Sequence, residues 1–98
     1  TKLLENAGVF SVVLECVETK LSKQITKNIK IPTIGIGSSS NCDGQVLVID
    51  DLIGMSDSKF KFVKKYVDLS RIINSAVKKY KNEVKNKQFP KAKHSFTN

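Results

Sequence analysis

Residues Val12 to Glu18 read VVLECVE. An aliphatic run passes straight into a glutamate, a cysteine and another valine. Taken with its lead-in, Val9 to Leu14 (VFSVVL), it is a short apolar strand, and Glu15 closes it. A carboxylate at the end of a buried run is paired, neutral, or employed.

The order of the neighbouring elements turns this strand into a fold. Glu18 to Asn28 has Leu21, Ile25 and Ile29 four apart with lysines opposite, which predicts a short amphipathic helix with Thr19 as N-cap. Ile31 to Gly37 (IPTIGIG) is a second strand, with Pro32 near its start where a lost donor is tolerable. Val46 to Ile49 (VLVI) is a third. The runs are continuously apolar, as in parallel strands covered on both faces. Strand, helix, strand, loop, strand predicts an α/β fold with a parallel sheet. Three such strands do not cover themselves, so the pattern calls for self-association or for further strands.

Outside this unit the chain is helical. Thr1 to Gly8 reads as the end of a helix, with Leu3, Leu4 and Ala7 at helical spacing and Gly8 as its stop. Together with a first residue that is not methionine, this predicts a partial chain. Phe60, Val63 and Val67 predict a second helix beyond the sheet. Leu69, Ile72, Ile73, Ala76, Val77, Tyr80 and Val84 form a long stripe whose default role is core packing. Phe89-Pro90 ends that helix, and residues 91–98 read as a tail.

Composition narrows the function. Hydrophobic residues make up 40% of the 98, enough for a packed core. The net charge is +8, concentrated between Lys59 and Lys93, where twelve Lys or Arg face two acids, Asp68 and Glu83. That concentration admits nucleic acid or an anionic surface as partner. Sixteen of the seventeen basic residues are Lys, however, whereas base readout favours Arg. A solvated helix face is the simpler reading. Cys16 and Cys42 lack the spacing of a metal knuckle and read as reduced thiols. No apolar run approaches the roughly 18 residues of a membrane span, and no signal peptide is visible, so the expectation is a cytoplasmic chain without membrane partners.

Three features carry candidate chemistry. Glu15 stands at the C-terminal edge of a parallel strand, where active sites of such folds gather. Partial desolvation there would raise its pKa and suit a general base; a solvent-facing or helix-capping acid is the alternative. Gly35, Gly37 and Ser38 lead into the loop SSSNCDG, where glycines allow a ligand or another backbone to approach closely. The spacing is not GxGxxG, and close packing explains these glycines equally well. Asp50 and Asp51 follow the third strand; they read as loop or capping acids ahead of metal ligands. His94 sits in the tail and has no assigned role.

The residues also resemble a family. VVLECV, IPTIGIG, DGQVLV with Leu52-Ile53-Gly54 beyond it, KFVKKYVDL, the A-V-x-x-Y-x-x-E-V stretch from Ala76 to Val84, and FPKAKHSF appear in the order found in ketopantoate hydroxymethyltransferases. The resemblance covers essentially the whole chain. It implies the C-terminal portion of a (β/α)₈ TIM barrel, a fold of about 250 residues, with the last three strands and the C-terminal helices present. It further implies hydroxymethyl transfer from 5,10-methylenetetrahydrofolate to 3-methyl-2-oxobutanoate, giving ketopantoate for pantothenate and coenzyme A synthesis. In such a site Mg²⁺ chelates the keto acid, and Glu15, at the place of the family's base, removes the proton next to the carbonyl. The family's metal ligands lie in the N-terminal half, so no metal ligand is expected in this chain, which alone would be inactive. Large rings of dimers are the implied assembly. Two departures stand out: Gly35-Ile36-Gly37-Ser38-Ser39 where GIGAG is common, and Asp50 where histidine is common. The alternatives are a non-catalytic assembly or binding module derived from the barrel and, behind it, a small basic nucleic-acid-binding protein.

Overall fold

The computed structural model describes residues 1–96. Helix α1 (Lys2–Asn6) stops at Gly8, whose φ is 94°. Strand β1 (Val12–Glu15), helix α2 (Thr19–Asn28) and strand β2 (Thr33–Ile36) follow. Then come β3 (Gly44–Gln45), a single helical turn α3 (Ile49–Leu52) and the long helix α4 (Leu69–Lys85). The strands form one parallel sheet in the order β1-β2-β3. The α/β class and the parallel pairing read from the sequence are therefore present; the described residues form a three-stranded sheet.

Register assigns the faces. Val12 pairs with Thr33, Val13 with Ile34, Leu14 with Gly35 and Glu15 with Ile36. Side chains alternate across a strand, and Thr33 reaches α2 through a 2.8 Å hydrogen bond between its hydroxyl and that of Thr26. Val12, Leu14 and Thr33 thus face α2, whereas Val13, Glu15, Ile34 and Ile36 face away from it. Leu14 is buried on the helix side, while Val13 on the other is 56% exposed. Burial of Leu14 contributes about 2 kcal/mol.

The contact between α2 and the sheet is more polar than the sequence suggests. Leu21, expected at the interface, is exposed; Ser22, Thr26 and Ile29 occupy it. Ser22 donates to the Val17 carbonyl at 3.2 Å, and Thr26 donates to the Ser22 carbonyl at 2.9 Å. Asp43 completes the network, accepting from the Thr33 amide at 2.8 Å with its carboxylate 3.2 Å from the Thr33 hydroxyl. Fully buried hydroxyls are tolerated because each is bonded. The N-cap of α2 is Glu18 rather than Thr19: its carboxylate accepts from the Leu21 amide at 3.0 Å.

Three further expectations are corrected. The third strand is Gly44–Gln45, not Val46–Ile49. β2 turns away at Gly37, with φ 65°, so residues beyond Val46 have no neighbour; the Val46 amide makes the last ladder bond, to Gly35, at 3.0 Å. Val48 instead caps α3, its carbonyl accepting from Asp51 and Leu52. No helix forms over 60–67. Phe60 and Phe62 stack at 5.4 Å within a turn closed by the Val63 amide on the Phe60 carbonyl at 3.0 Å, and the Tyr66 amide donates to the Leu52 carbonyl at 2.8 Å. Finally, α4 ends at Lys85, ahead of Phe89-Pro90, because Lys87 turns left-handed at φ 57°. The stretch read as a tail holds a 3₁₀ turn, Ala92–His94, with the His94 ring 5.1 Å from that of Phe89; Thr97 and Asn98 lie outside the described residues.

The stripe on α4 is largely uncovered by the described residues, with Tyr80 meeting the Phe89 ring edge-on at 5.6 Å. Ile72, Val77 and Tyr80 are each more than half exposed. The radius of gyration is 23.1 Å, against about 13 Å for a compact domain of this length. The sheet face bearing Glu15 and the apolar stripe of α4 are both uncovered by the described residues.

Candidate active site

Glu15 is the last residue of β1, level with Ile36 at the carboxyl edge of the sheet. The chain leaves the strand through Cys16, whose φ of 53° is unusual for a residue with a side chain and costs on the order of 1–3 kcal/mol. Three hydrogen bonds hold it there. The Cys16 amide donates to the Ile36 carbonyl at 2.9 Å. The Ser38 hydroxyl donates to the Leu14 carbonyl at 2.6 Å and accepts from the Val17 amide at 3.1 Å. The segment from Leu14 to Val17 is therefore tied at both ends to the turn that follows β2.

Gly37 sets that turn. Its left-handed φ suits glycine, and a Cβ there would stand 2.9 Å from the Phe62 ring. The neighbour that exploits the missing side chain is Phe62. Gly35 lies on the α2 side of the sheet, against the side chain of Gln45 and the sulfur of Cys42. Both glycines are thus closely packed by neighbouring side chains. Cys16, Thr19, Gly37, Ser38, Lys61 and Phe62 line an open hollow of about 430 Å³ next to Glu15. Lys61 supplies its positive charge.

The Glu15 side chain is exposed. The partial desolvation expected from its position is not supplied by this chain, since the face that Glu15 shares with Val13 is open. The remaining acids are elsewhere. Asp43 is bonded to Thr33 at the opposite end of β2. Asp51 accepts from the Ser56 hydroxyl within the α3 loop, and the Asp50 carbonyl accepts from Met55 and Ser56. Both aspartates stand in the first turn of α3 and serve its local hydrogen bonding. Among the described residues no three His, Cys, Asp or Glu side chains gather to hold a metal ion. The loop after Gly37 also spends its amides internally: Asn41 donates to the Ser39 hydroxyl, Cys42 to the Ser39 carbonyl and Asp43 to the Thr33 hydroxyl. Those three amides are not available to cradle a phosphate.

The sequence does not disclose the Ser38 clasp. Its partners lie 24 and 21 residues away, and no local pattern joins them. The only signal is a hydroxyl where the common motif carries alanine.

Parallel strands, a carboxylate at their C-terminal edge and a turn that fixes its backbone define an α/β chain with its candidate chemistry at the carboxyl ends of the strands. The family model described as ketopantoate hydroxymethyltransferase matches residues 1–92, and the chain belongs to that family. It is 58% identical over 96 residues to the 3-methyl-2-oxobutanoate hydroxymethyltransferase of Pelagibacter ubique (strain HTCC1062), covering 98% of this chain and 37% of that protein. It is 57% identical over 97 residues to the protein of that name from Carboxydothermus hydrogenoformans, covering 98% and 35%. For the one from Enterococcus faecalis the identity is 56% over 96 residues, covering 97% and 35%. The chain thus spans little more than a third of the length of these relatives. Among the described residues no helix is long and apolar enough to cross a membrane.

Proposed function

We propose that this chain supplies the proton-abstracting carboxylate of a 3-methyl-2-oxobutanoate hydroxymethyltransferase. The observation that carries the reading is the position of Glu15: last in a parallel strand, facing away from α2, on a backbone held by Ile36 and Ser38. Glu15 takes the proton from C3 of the keto acid. The resulting enolate carbon attacks the methylene carbon of 5,10-methylenetetrahydrofolate; both carbon–nitrogen bonds of that methylene break in the course of transfer, water supplies the hydroxyl, and ketopantoate and tetrahydrofolate are the products. A base fixed at the edge of the sheet meets its substrate with little reorganisation.

The rest of a longer chain completes the site on this reading. Its strands cover the open face of the sheet and desolvate Glu15, and further copies of the protein cover apolar surface such as the α4 stripe. The described residues do not fit Mg²⁺, so the cation is assigned to residues outside this chain, and Glu15 acts here as base, not as ligand. The compartment that suits this biosynthesis is the cytoplasm. Neither the non-catalytic module nor the nucleic-acid-binding reading gains an observation from the fold. Exchange of the C3 proton of 3-methyl-2-oxobutanoate in the Glu15→Gln variant of the full-length protein tests the assignment.

A further inference from the structure

We propose that the hollow beside Glu15 seats the one-carbon donor, with Lys61 pairing with a carboxylate of its glutamate part and Phe62 lying against its aromatic ring. The inference rests on the reading of this chain as part of a 3-methyl-2-oxobutanoate hydroxymethyltransferase. The hollow measures about 430 Å³, within the range of about 300–1,000 Å³ that encloses a small molecule. The two substrates differ in what they offer such a place. The keto acid has no ring, and only its keto carbon separates its carboxylate from the carbon that Glu15 deprotonates. The donor carries a p-aminobenzoyl ring and, beyond it, a glutamate whose carboxylates are ionised at neutral pH.

The residues of the hollow match the second molecule. Lys61 is exposed, and the one ion pair among the described residues joins Lys2 to Glu5, so the Lys61 ammonium has no carboxylate partner there. Lys64 is engaged elsewhere: its ammonium lies 4.9 Å from the centroid of the Tyr66 ring, and it lines a different hollow. The Phe62 ring is held from two sides, stacked on Phe60 at 5.4 Å with the planes 7° apart and seated against the bare Cα of Gly37. A ring already fixed offers a flat surface to another aromatic group at little further cost in order. The hollow includes Cys16, the residue after Glu15, so a donor seated there lies next to the carbon on which the enolate forms.

The test uses the full-length protein carrying this segment, titrated calorimetrically with tetrahydrofolate and with tetrahydropteroate, which lacks the glutamate. Lys61→Ala is expected to weaken tetrahydrofolate by about tenfold or more, as loss of a charge-assisted hydrogen bond does, and tetrahydropteroate by less than about twofold. Lys61→Arg keeps the charge and is expected to recover most of the affinity. Phe62→Leu is expected to weaken both ligands alike. In turnover, Lys61→Ala raises KM for the donor, while KM for the keto acid and C3 proton exchange without donor stay within about twofold of the parent. Equal losses of the two ligands on Lys61→Ala, or no loss, would take Lys61 off the glutamate and overturn the inference. A rise in KM for the keto acid alone would overturn it too, as would a Phe62→Leu protein that binds both ligands like the parent. Glu15→Gln measured in parallel separates the claims. If it exchanges the C3 proton normally while Lys61→Ala selectively loses tetrahydrofolate, the base falls and the donor site stands; the reverse pair of results keeps the base and strikes the donor site.

Discussion

The hydroxyl of Ser38 reaches across the strand ends to the carbonyl of Leu14, 2.6 Å away, and so joins the turn after β2 to the last buried residue before Glu15. Adjacent parallel strands end level with one another, so a short side chain on one turn can hold the backbone of the next. The geometry gives the candidate base a rigid support although its side chain is open to solvent.

The polar network beneath the sheet has a testable strength. The Thr33 hydroxyl accepts from the Asp43 amide and lies within hydrogen-bond distance of the Asp43 carboxylate and the Thr26 hydroxyl, its single proton serving one of the two. Thr33→Val keeps the volume and strands these partners. A loss of roughly 1–3 kcal/mol is expected, read as a lower Tm, with Thr33→Ser losing less. Equal stability of the valine and parent proteins would show that the network contributes nothing.

Gly54 is a second structural test. Its φ is 74°, and a Cβ there would clash with the Val67 carbonyl oxygen. That approach lets the Leu69 amide reach the Ile53 carbonyl at 3.0 Å and so anchors the start of α4. Gly54→Ala combines a clash with a left-handed strain and is expected to destabilise by roughly 1–3 kcal/mol or more. An unchanged denaturant midpoint would refute the close approach.

Glu5 gives a pH dependence. The Lys30 amide and then the Lys2 ammonium hold its carboxyl below the ordinary value of 4.5. Because the folded pKa is depressed, the contribution of this contact is complete above 4.5 and is lost as pH falls through the lower folded value. A carbon NMR titration of the Glu5 carboxyl should give a midpoint below 4.5. A midpoint at or above it would mean that α1 is not docked on the α2–β2 loop.

What the sequence discloses, and what it hides, follows the range of the interactions. The VVLE strand, its parallel partner TIGI and the helix between them are legible because apolar runs and helical spacing are local patterns. The edge position of Glu15 follows from that order. The third strand is misread because VLVI has the right composition but lacks a neighbour once Gly37 turns β2 away. Residues 60–67 carry an apolar spacing that fits a helix, yet tertiary bonds such as Tyr66 to Leu52 take them elsewhere. Ser22 and Thr33 are polar by type and fully buried by context. Ser22 bonds to the Val17 carbonyl and Thr33 to Thr26 and Asp43, partners that no apolar pattern marks, and the bond from Ser38 to Leu14 spans 24 residues.

The claim that Glu15 is the base is tested most directly by proton NMR of 3-methyl-2-oxobutanoate in deuterium oxide. The sample is the full-length protein carrying Glu15→Gln, with one-carbon donor omitted so that only the first step is read. The expected result is loss of C3 proton exchange to the uncatalysed level, with the keto acid still bound and the fold unchanged by circular dichroism. Exchange at the parent rate would contradict the account and move the base to another residue.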